Sequence, residues 1–265
     1  MKFTKMTAVV LAMLTVLLFM SLTVSAAEPT VYVTIADDKG ELALAYKAVV
    51  VDTDYDGDAK FTIYDALMKA HDDAYNGGAA AGFGAVSTDY GLSMTKLWGV
   101  ESGSSYGYTV NNASAMSLVD GIKDGDTIYA YCYTDLTTWS DTYCYFDQNT
   151  AWNASGELTL TLSANGYDAT WAPVVNPVAD AVIYVNGTAT AYKTDANGQV
   201  TIKVDGNGAY QISAKKEGMV MVPPLCIYTV GDAAPQTGDM TAVVSVAVAA
   251  IALAGITFVS KRHAK

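Results

Sequence analysis

The sequence has few of the residues that bind anions and few of those that most often act in catalysis. Its 265 residues include two histidines and three cysteines, and Arg262 is its single arginine. A chain with so little arginine has almost no bidentate grip for phosphate, which argues against nucleic acid as a partner. A Ser-His-Asp or Cys-His device would depend on His71, because the other histidine lies in the last few residues. We therefore expect a protein that is not an enzyme.

Acidic residues dominate the chain between its two ends. Five of the 15 basic residues lie in residues 1–26 or 238–265, and only one of the 27 acidic residues does, which leaves 10 against 26. The resulting net charge of −16 for residues 27–237 disfavours anionic lipid and favours cations or neutral ligands.

Both ends have the composition of segments that direct a protein to the cell surface. Residues 1–26 combine Lys2 and Lys5, an apolar stretch and small residues before Ala27, which predicts a secretory signal peptide. A retained N-terminal membrane helix is the alternative. Residues 241–260 are 20 residues without a charge, enough to cross about 30 Å of hydrocarbon, and residues 261–265 form a basic tail on the cytoplasmic side.

A linker over residues 232–238 ends in the motif Pro235, Gln236, Thr237 and Gly238. The order of motif, span and tail resembles the cell-wall sorting signal of Gram-positive surface proteins. The resemblance implies that a sortase cleaves between Thr237 and Gly238 and joins the protein to peptidoglycan. The result would be an extracellular protein covalently attached to the cell wall, with a membrane-spanning precursor. A single-pass membrane protein with a chance motif is the alternative.

Residues 29–135 show strand signals around one helix. Strands are predicted at residues 30–36, 42–51, 92–98, 106–110 and 127–133, with a Gly/Ala-rich loop over residues 77–84. Ile63, Leu67 and Ala70 share one helical face, and Thr62 with Asp65 predicts a capping box at its start. We expect an α+β domain with a sheet covered on one face.

Just before that helix, four aspartates alternate: Asp52, Asp54, Asp56 and Asp58. Their spacing resembles the opening of a calcium loop, in which alternate carboxylates converge on one cation. Ile63 stands where such a loop has its closing carboxylate. A degenerate Ca²⁺ site and a solvated acidic turn both remain open.

The last predicted strand of this unit alternates large and small side chains. Tyr129, Tyr131 and Tyr133 share one face, and the smaller residues between them share the other. If the smaller set faces the core, a tyrosine ladder, defined as these three residues, faces solvent or a partner. Cross-strand packing is the plain alternative.

Three further side chains are candidates for a ligand face: His71, Tyr106 and Tyr108. His71 falls beside the apolar stripe of the predicted helix, where a histidine with no special task is the alternative. Residues 62–67, 106–111 and 119–126 resemble the transcobalamin C-terminal-like domain of bacterial surface proteins and vertebrate cobalamin carriers. The resemblance implies a β-grasp-like fold and the capture of a ligand, a corrinoid among the candidates.

Residues 139–231 have only strand and turn signals. Strands are predicted at residues 143–146, 157–162, 181–185, 200–204, 210–214 and 225–230, the spacing of a β-sandwich. Residues 194–198 and 208–210 resemble carboxypeptidase-regulatory-like and collagen-adhesin B-type modules, which implies an immunoglobulin-like sandwich used as a stalk. Cys144 and Cys226 fall on its first and last strands and are the candidate disulfide, with buried free thiols as the alternative.

Two functions therefore compete. One is a wall-displayed protein that captures a small ligand, such as a corrinoid, through its first domain. The other is an adhesion or structural surface protein that contacts host or neighbouring cells.

Overall fold

A computed structural model of the chain describes residues 28–89, 91–103 and 105–231. The predicted signal peptide, the sorting motif, the apolar run and the basic tail lie outside the described residues. Within the described ranges no helix is both long and apolar enough to span a membrane. The described chain is mostly β with few helices, and it folds as two units, each around its own core.

The first unit is a mixed sheet covered on one face by a helix. Its elements are β1 (Thr30–Ala36), β2 (Leu42–Val50), α1 (Ile63–Ala74), α2 (Gly78–Gly82), β3 (Gly84–Thr88), β4 (Gly91–Lys96), β5 (Tyr106–Val110), β6 (Ala113–Ser114) and β7 (Thr127–Cys132). The main sheet has the order β2-β1-β7-β5-β6, with β1 parallel to β7, while β3 and β4 form a separate hairpin.

Helix α1 begins where the capping box was predicted. The Asp65 carboxylate accepts hydrogen bonds from the Thr62 N–H at 2.9 Å and the Thr62 hydroxyl at 2.7 Å. Its other oxygen accepts from the Tyr55 N–H at 2.8 Å, so both oxygens of this buried carboxylate are occupied. Ile63, Leu67 and Ala70 are fully buried against the sheet, as their spacing predicted.

Two predictions for this unit are wrong in detail. The Gly/Ala-rich stretch that was expected to be a loop contains α2, whose small side chains allow it to pack against α1. It also leads directly into β3, a strand that was not predicted.

The second unit is a sandwich of two five-stranded sheets. Its strands are β8 (Thr142–Phe146), β9 (Thr150–Asn153), β10 (Glu157–Tyr167), β11 (Pro173–Pro177), β12 (Val182–Val185), β13 (Thr188–Lys193), β14 (Gln199–Lys203), β15 (Gly208–Lys215), β16 (Met221–Val222) and β17 (Cys226–Val230). One sheet has the order β11-β10-β8-β16 with β14 beside β10, and the other has the order β13-β12-β15-β17-β9.

The core of the sandwich follows from strict alternation. In β10, Leu158, Leu160 and Leu162 point inward while the residues between them are exposed or half-buried. Phe146 and Tyr228, from opposite sheets, are among the largest fully buried side chains. Burial of side chains of this size contributes about 1.5–3 kcal/mol each, which is how a unit without helices is held together.

The two units are joined by a short loop fixed by carboxylates. Asp141 accepts hydrogen bonds from the Thr134 N–H, the Thr134 hydroxyl and the Asp135 N–H at 2.8–2.9 Å. Asp135 in turn accepts bonds from three residues of the same loop, and these bonds hold the pKa of its carboxyl well below the usual range. The connection is therefore an ordered turn held by its own side chains.

Candidate functional site

A cleft of about 370 Å³ lies between the β3–β4 hairpin and strand β5 of the first unit. Its lining residues are Thr88, Gly91, Leu92, Ser93, Met94, Tyr106 and Tyr108. The volume falls near the lower end of the roughly 300–1,000 Å³ that is typical of small-molecule sites. The lining carries no charged side chain, so the cleft suits a small neutral ligand.

Alternation along β5 places Tyr106 and Tyr108 on the same side of the sheet as helix α1. Tyr106 pairs with Cys132 and Tyr108 with Ala130, two residues that face the core. The structure therefore brings together Tyr106 and Tyr108, two of the candidates for a ligand face. They lie on the opposite side of the sheet from the tyrosine ladder, so the predicted set does not form one surface.

Tyr106 is fixed in position by its own hydroxyl. The oxygen lies 2.8 Å from the Thr95 carbonyl and 2.9 Å from the Val100 carbonyl, and it accepts a hydrogen bond from the Ser102 N–H at 2.6 Å. Because these contacts use the donor and one acceptor site of the hydroxyl, the ring of Tyr106 is the main part that a ligand would meet.

Tyr108 lies in partly buried surroundings beside the Asp120 carboxylate. Burial, followed by the nearby Asp120 carboxylate, raises the pKa of Tyr108 above its usual value. A neutral phenol can donate its proton in a hydrogen bond to a ligand. Together with the Ser93 hydroxyl, it gives the cleft polar groups beside the apolar surfaces of Leu92 and Met94.

The tyrosine ladder does not face solvent. Tyr129 and Tyr131 retain 8% and 7% of their accessible surface, and they pack against Tyr143 and Val222 of the second unit. The alternation was predicted correctly, but exposure is wrong for these two residues, because the partner of this face is the sandwich of the same chain. Tyr133, at the edge, is half-buried and contacts the exposed Trp139.

Hydrogen bonds lock this interface between the units. The Tyr129 hydroxyl donates to the Pro223 carbonyl at 2.6 Å, and the Tyr143 hydroxyl donates to the Asn112 side chain at 3.0 Å. The Asn165 side-chain amide donates to the Asn112 carbonyl at 2.7 Å. A second apolar contact joins Ala45 of β2 to β17. The interface is thus packed and polar at once, which holds the two units in one arrangement.

His71 is a buried structural residue and does not belong to a ligand face. The Trp98 N–H donates to its Nε2 at 3.0 Å, so the neutral ring carries its proton on Nδ1, which donates to the Leu67 carbonyl at 2.6 Å. Phe83 and Trp98 pack against the ring. Burial lowers the pKa of His71 below its usual value. The histidine therefore ties α1 to the loop at Trp98.

The acidic loop brings together three of its four predicted carboxylates. One oxygen of each of Asp54, Asp56 and Asp58 lies within 4.8 Å of the others. Asp52 instead lies 3.7 Å from the Lys69 ammonium. Asp54 also accepts hydrogen bonds from the N–H groups of Gly57 and Ala59 at 2.7 and 2.8 Å, which curls the loop around this carboxylate.

All three cysteines are free and buried, so the predicted disulfide between Cys144 and Cys226 is wrong. Cys144 lies on β8 and Cys226 on β17, and these strands belong to opposite sheets of the sandwich. The first and last strands of a sandwich are often neighbours, but here β8 pairs with β10 and β16, and β17 pairs with β15 and β9. Burial raises the pKa of each thiol, including Cys132, to about 12.

No protein-family model and no curated protein matches this sequence. Among the solved structures with a weak similarity to the chain, three match over 56% of it. The D0-D1 domain of intimin has 16% identity over 80% of its chain (TM-score 0.24), and murine CEACAM1b has 10% over 67% (TM-score 0.17). The N-terminal four Ig domains of Dscam1 isoform 9.44 have 12% identity (TM-score 0.22), and the match spans 32% of that chain. We therefore base the function on the geometry above.

Sequence reasoning missed one wall of the cleft. Residues 85–88 are a β-rich run followed by a turn signal at Asp89 and Gly91, and this pattern predicts the β3–β4 hairpin. The preceding Gly/Ala-rich stretch obscured it, because that composition suggested a loop. Ser93 and Met94 on β4 were therefore not recognised as neighbours of Tyr106 and Tyr108.

Proposed function

We propose that this protein is an extracellular, non-enzymatic recognition protein whose first unit captures a small neutral ligand in the cleft beside Tyr106 and Tyr108. The single observation that carries the proposal is that cleft, which is uncharged, of ligand size and partly lined by two aromatic rings, of which Tyr106 is held by hydrogen bonds. The second unit acts as a fixed support, because the packed interface at Tyr129 prevents the first unit from swinging freely.

Several features support a binding role over catalysis. Within residues 28–231, His71 has both ring nitrogens occupied, and each thiol has its pKa raised to about 12 by burial. A nucleophile needs an adjacent base or a lowered pKa. None of the three thiols has a lowered pKa, and His71 has no unoccupied ring nitrogen with which to act as a base.

The strand order β2-β1-β7-β5-β6, with the central pair parallel and α1 across one face, supports a β-grasp-like domain in the first unit. A corrinoid is one ligand to be tested, because the transcobalamin C-terminal-like domain, which residues 62–67, 106–111 and 119–126 resemble, implies corrinoid capture. The cleft is small for a corrinoid, so only part of such a ligand would enter it.

The ligand proposal is tested by calorimetric titration of the full chain in mild detergent with cobalamin, cobinamide and a panel of small neutral metabolites. We expect heat of binding from at least one compound, and at least a tenfold loss of affinity in Ser93→Trp, which fills the cleft. Tyr184→Phe, in β12 of the second unit, is the matched control and keeps its affinity. Titrations with corrinoids that give no heat would exclude a corrinoid as the ligand. An affinity that Ser93→Trp does not change would exclude the cleft as the binding site.

Display on the cell wall is the second part of the proposal. The sorting motif supports it, and the test is fractionation of a Gram-positive host that expresses the full chain. We expect the protein in the wall fraction after muramidase treatment, and in the membrane fraction when Thr237→Pro blocks cleavage. Equal membrane retention of both proteins would show a single-pass membrane protein instead.

Adhesion is the alternative function, and the position of the chain exit suits it as well as it suits ligand capture. Strand β17 starts beside the first unit, where Leu225 contacts Ala45, and ends at Val230, about 14 Å further along at ~3.4 Å per residue. A chain attached beyond Gly231 would hold the first unit outermost. Adherence of expressing cells to host or bacterial cells, unaffected by Ser93→Trp, would support adhesion over small-ligand capture.

A further inference from the structure

The hairpin between β10 and β11 presents two exposed aromatic rings. We name residues 167–173 the aromatic hairpin. Trp171 at its tip keeps 81% of its accessible surface, and Tyr167 keeps 63%. Their ring centroids are 6.3 Å apart and the ring planes are tilted by 48°. The two rings therefore form one small apolar platform that the other described residues leave largely uncovered.

A carboxylate at the base of the tip fixes the platform. Asp168 Oδ1 accepts hydrogen bonds from the Thr170 N–H at 2.7 Å, the Thr170 hydroxyl at 2.6 Å and the Ala172 N–H at 3.0 Å. The Trp171 N–H donates to the Asp168 carbonyl at 3.0 Å. These bonds order the backbone of the turn that carries the ring, so a ligand would not have to order the turn itself.

Trp171 occupies a backbone conformation that disfavours its side chain. Its φ is +63°, in the left-handed region, where a bulky residue is a rare outlier and glycine is the residue without strain. Exposure removes any packing gain that would offset this strain. A strained and exposed aromatic residue points to a function at the tip.

The position of the tip separates it from the chain exit. The exit lies where the Gly231 N–H donates to the Asn153 carbonyl, and the Asn153 side chain contacts Glu157 at the start of β10. Tyr167 is ten residues further along β10, about 34 Å away at ~3.4 Å per residue. The platform lies near the first unit, which Asn165 contacts. A membrane or wall at the exit end would not cover it.

The size and charge of the platform indicate the class of ligand. Two aromatic side chains offer at most about 500 Å², less than the ~800 Å² per partner of a standard protein interface. The hairpin contains no basic residue to bind an anion, and residues 27–237 carry a net charge of −16. The electron-rich ring faces attract the polarised C–H groups of a sugar ring, and the Tyr167 hydroxyl can bond to its rim.

From these observations we propose that the aromatic hairpin binds a neutral polysaccharide by stacking sugar rings on Trp171 and Tyr167. The site is separate from the cleft and does not rest on the function proposed for it. One platform of this size binds a single sugar unit weakly, so many copies displayed on one surface would gain avidity along a repeating polymer.

Affinity electrophoresis of the full chain in mild detergent tests the proposal. Native gels contain either a β-glucan, a mannan or a starch glucan, with hyaluronan as the anionic contrast. We expect retardation in at least one neutral gel and none in hyaluronan. Trp171→Ala abolishes the retardation, Trp171→Phe keeps part of it, and Trp152→Ala, a tryptophan at the exit end that is 42% exposed, leaves it unchanged.

Trp171→Gly distinguishes a binding role from a structural one. Glycine accepts the left-handed conformation, so this variant is expected to melt at the same or a higher temperature while it loses retardation. Retardation in no neutral polysaccharide overturns the proposal, as does equal retardation of Trp171→Ala and the unmodified chain. Retardation that is lost in Ser93→Trp but kept in Trp171→Ala would show that the sugar binds in the cleft and not at the aromatic hairpin.

Discussion

His71 lies between α1 and the Trp98 loop with hydrogen bonds at both ring nitrogens. A second proton on this ring would remove the acceptor that the Trp98 N–H needs. Burial also disfavours the charged ring and holds the pKa of His71 below the 6.5 of a free histidine. The buried tyrosines and thiols follow the same rule in the opposite direction, because burial disfavours their anions and raises their pKa values.

The pH dependence of stability should report His71. Above pH 6.5 the ring is neutral in both the folded and the unfolded chain. As the pH falls below 6.5, the ring binds a proton in the unfolded chain before it does so in the folded chain, because its pKa is lower there. We expect the free energy of unfolding to fall between about pH 6.5 and 5. Denaturant unfolding measured at several pH values checks this.

Variants of the two histidines make that measurement specific. His71→Gln should be less stable at pH 7.5 by about 1–3 kcal/mol, because a buried donor or acceptor is left unpaired, and its stability should change less between pH 6.5 and 5. His263→Gln, outside the described residues, should behave like the unmodified chain. An unchanged pH dependence in His71→Gln would contradict the assignment.

The three thiols should be unreactive toward thiol reagents in the folded protein. With pKa values of about 12 and no exposed surface at Cys144 or Cys226, they are neither ionised nor reachable near neutral pH. We expect no reaction with a thiol reagent at pH 8 without denaturant and three equivalents in denaturant. Two missing equivalents that return after reduction would reveal a disulfide that the structure does not contain.

At the scale of elements, short polar segments are held by carboxylates. Asp54 curls the loop before α1, Asp65 caps α1, Asp141 fixes the connection between units, and Asp168 fixes the aromatic hairpin. Each accepts backbone N–H groups that would otherwise lack partners, the role in which Asp favours turns and helix starts. Much of the acidic excess of this chain is therefore structural.

Calcium is a proposal for the loop before α1. Asp54, Asp56 and Asp58 are close enough to share one hard cation, and extracellular calcium sites of this kind bind in the range of about 10⁻⁴–10⁻³ M. We expect 5 mM CaCl₂ to raise the melting temperature of the full chain by a few degrees, a shift that EDTA reverses. The increment should disappear in Asp56→Asn.

Asp38→Asn, in the exposed β1–β2 turn, is the matched control for that experiment, because it removes one carboxylate away from the loop. It should keep the calcium increment. An equal increment in all three proteins would reduce the effect to general screening of the acidic chain, and no increment would leave the loop as a solvated turn.

At the scale of the whole molecule, the interface between the units determines what the protein can display. Five tyrosines and two asparagines from both units meet there, with ring contacts of 5.4–6.1 Å across the boundary. Because this contact is packed and hydrogen-bonded, the cleft keeps a fixed relation to the aromatic hairpin and the chain exit, which both belong to the second unit. A stalk that bends at its joint would not do this.

Substitution of Tyr129 should uncouple the two units. Tyr129→Phe removes a buried hydrogen bond to Pro223 and should cost about 1 kcal/mol. Tyr129→Ala also opens a cavity and should cost about 3–5 kcal/mol, and it should split one thermal transition into two. Calorimetry of the full chain checks both, with Tyr184→Phe as control. A single transition in Tyr129→Ala would show that the other contacts suffice.

Local patterns predicted the elements better than the site. The β1–β2 hairpin, the capping box of α1 and the alternation in β10 follow from interactions within a few residues, so they could be derived from the sequence. The cleft could not, because it depends on how the β3–β4 hairpin lies against Tyr106 and Tyr108. The aromatic hairpin was also missed, since its strand was predicted to end at residue 162.

The sequence by itself determined the balance of charge, the mostly β character of the chain and which side chains share a face, because these depend on composition and on a period of two residues. Only the tertiary structure decided what each face meets. It buried Tyr129 and Tyr131 against the second unit, placed Cys144 and Cys226 on opposite sheets and left Trp171 in solvent. The physical reason is that burial depends on packing between segments distant in sequence, which no local pattern encodes.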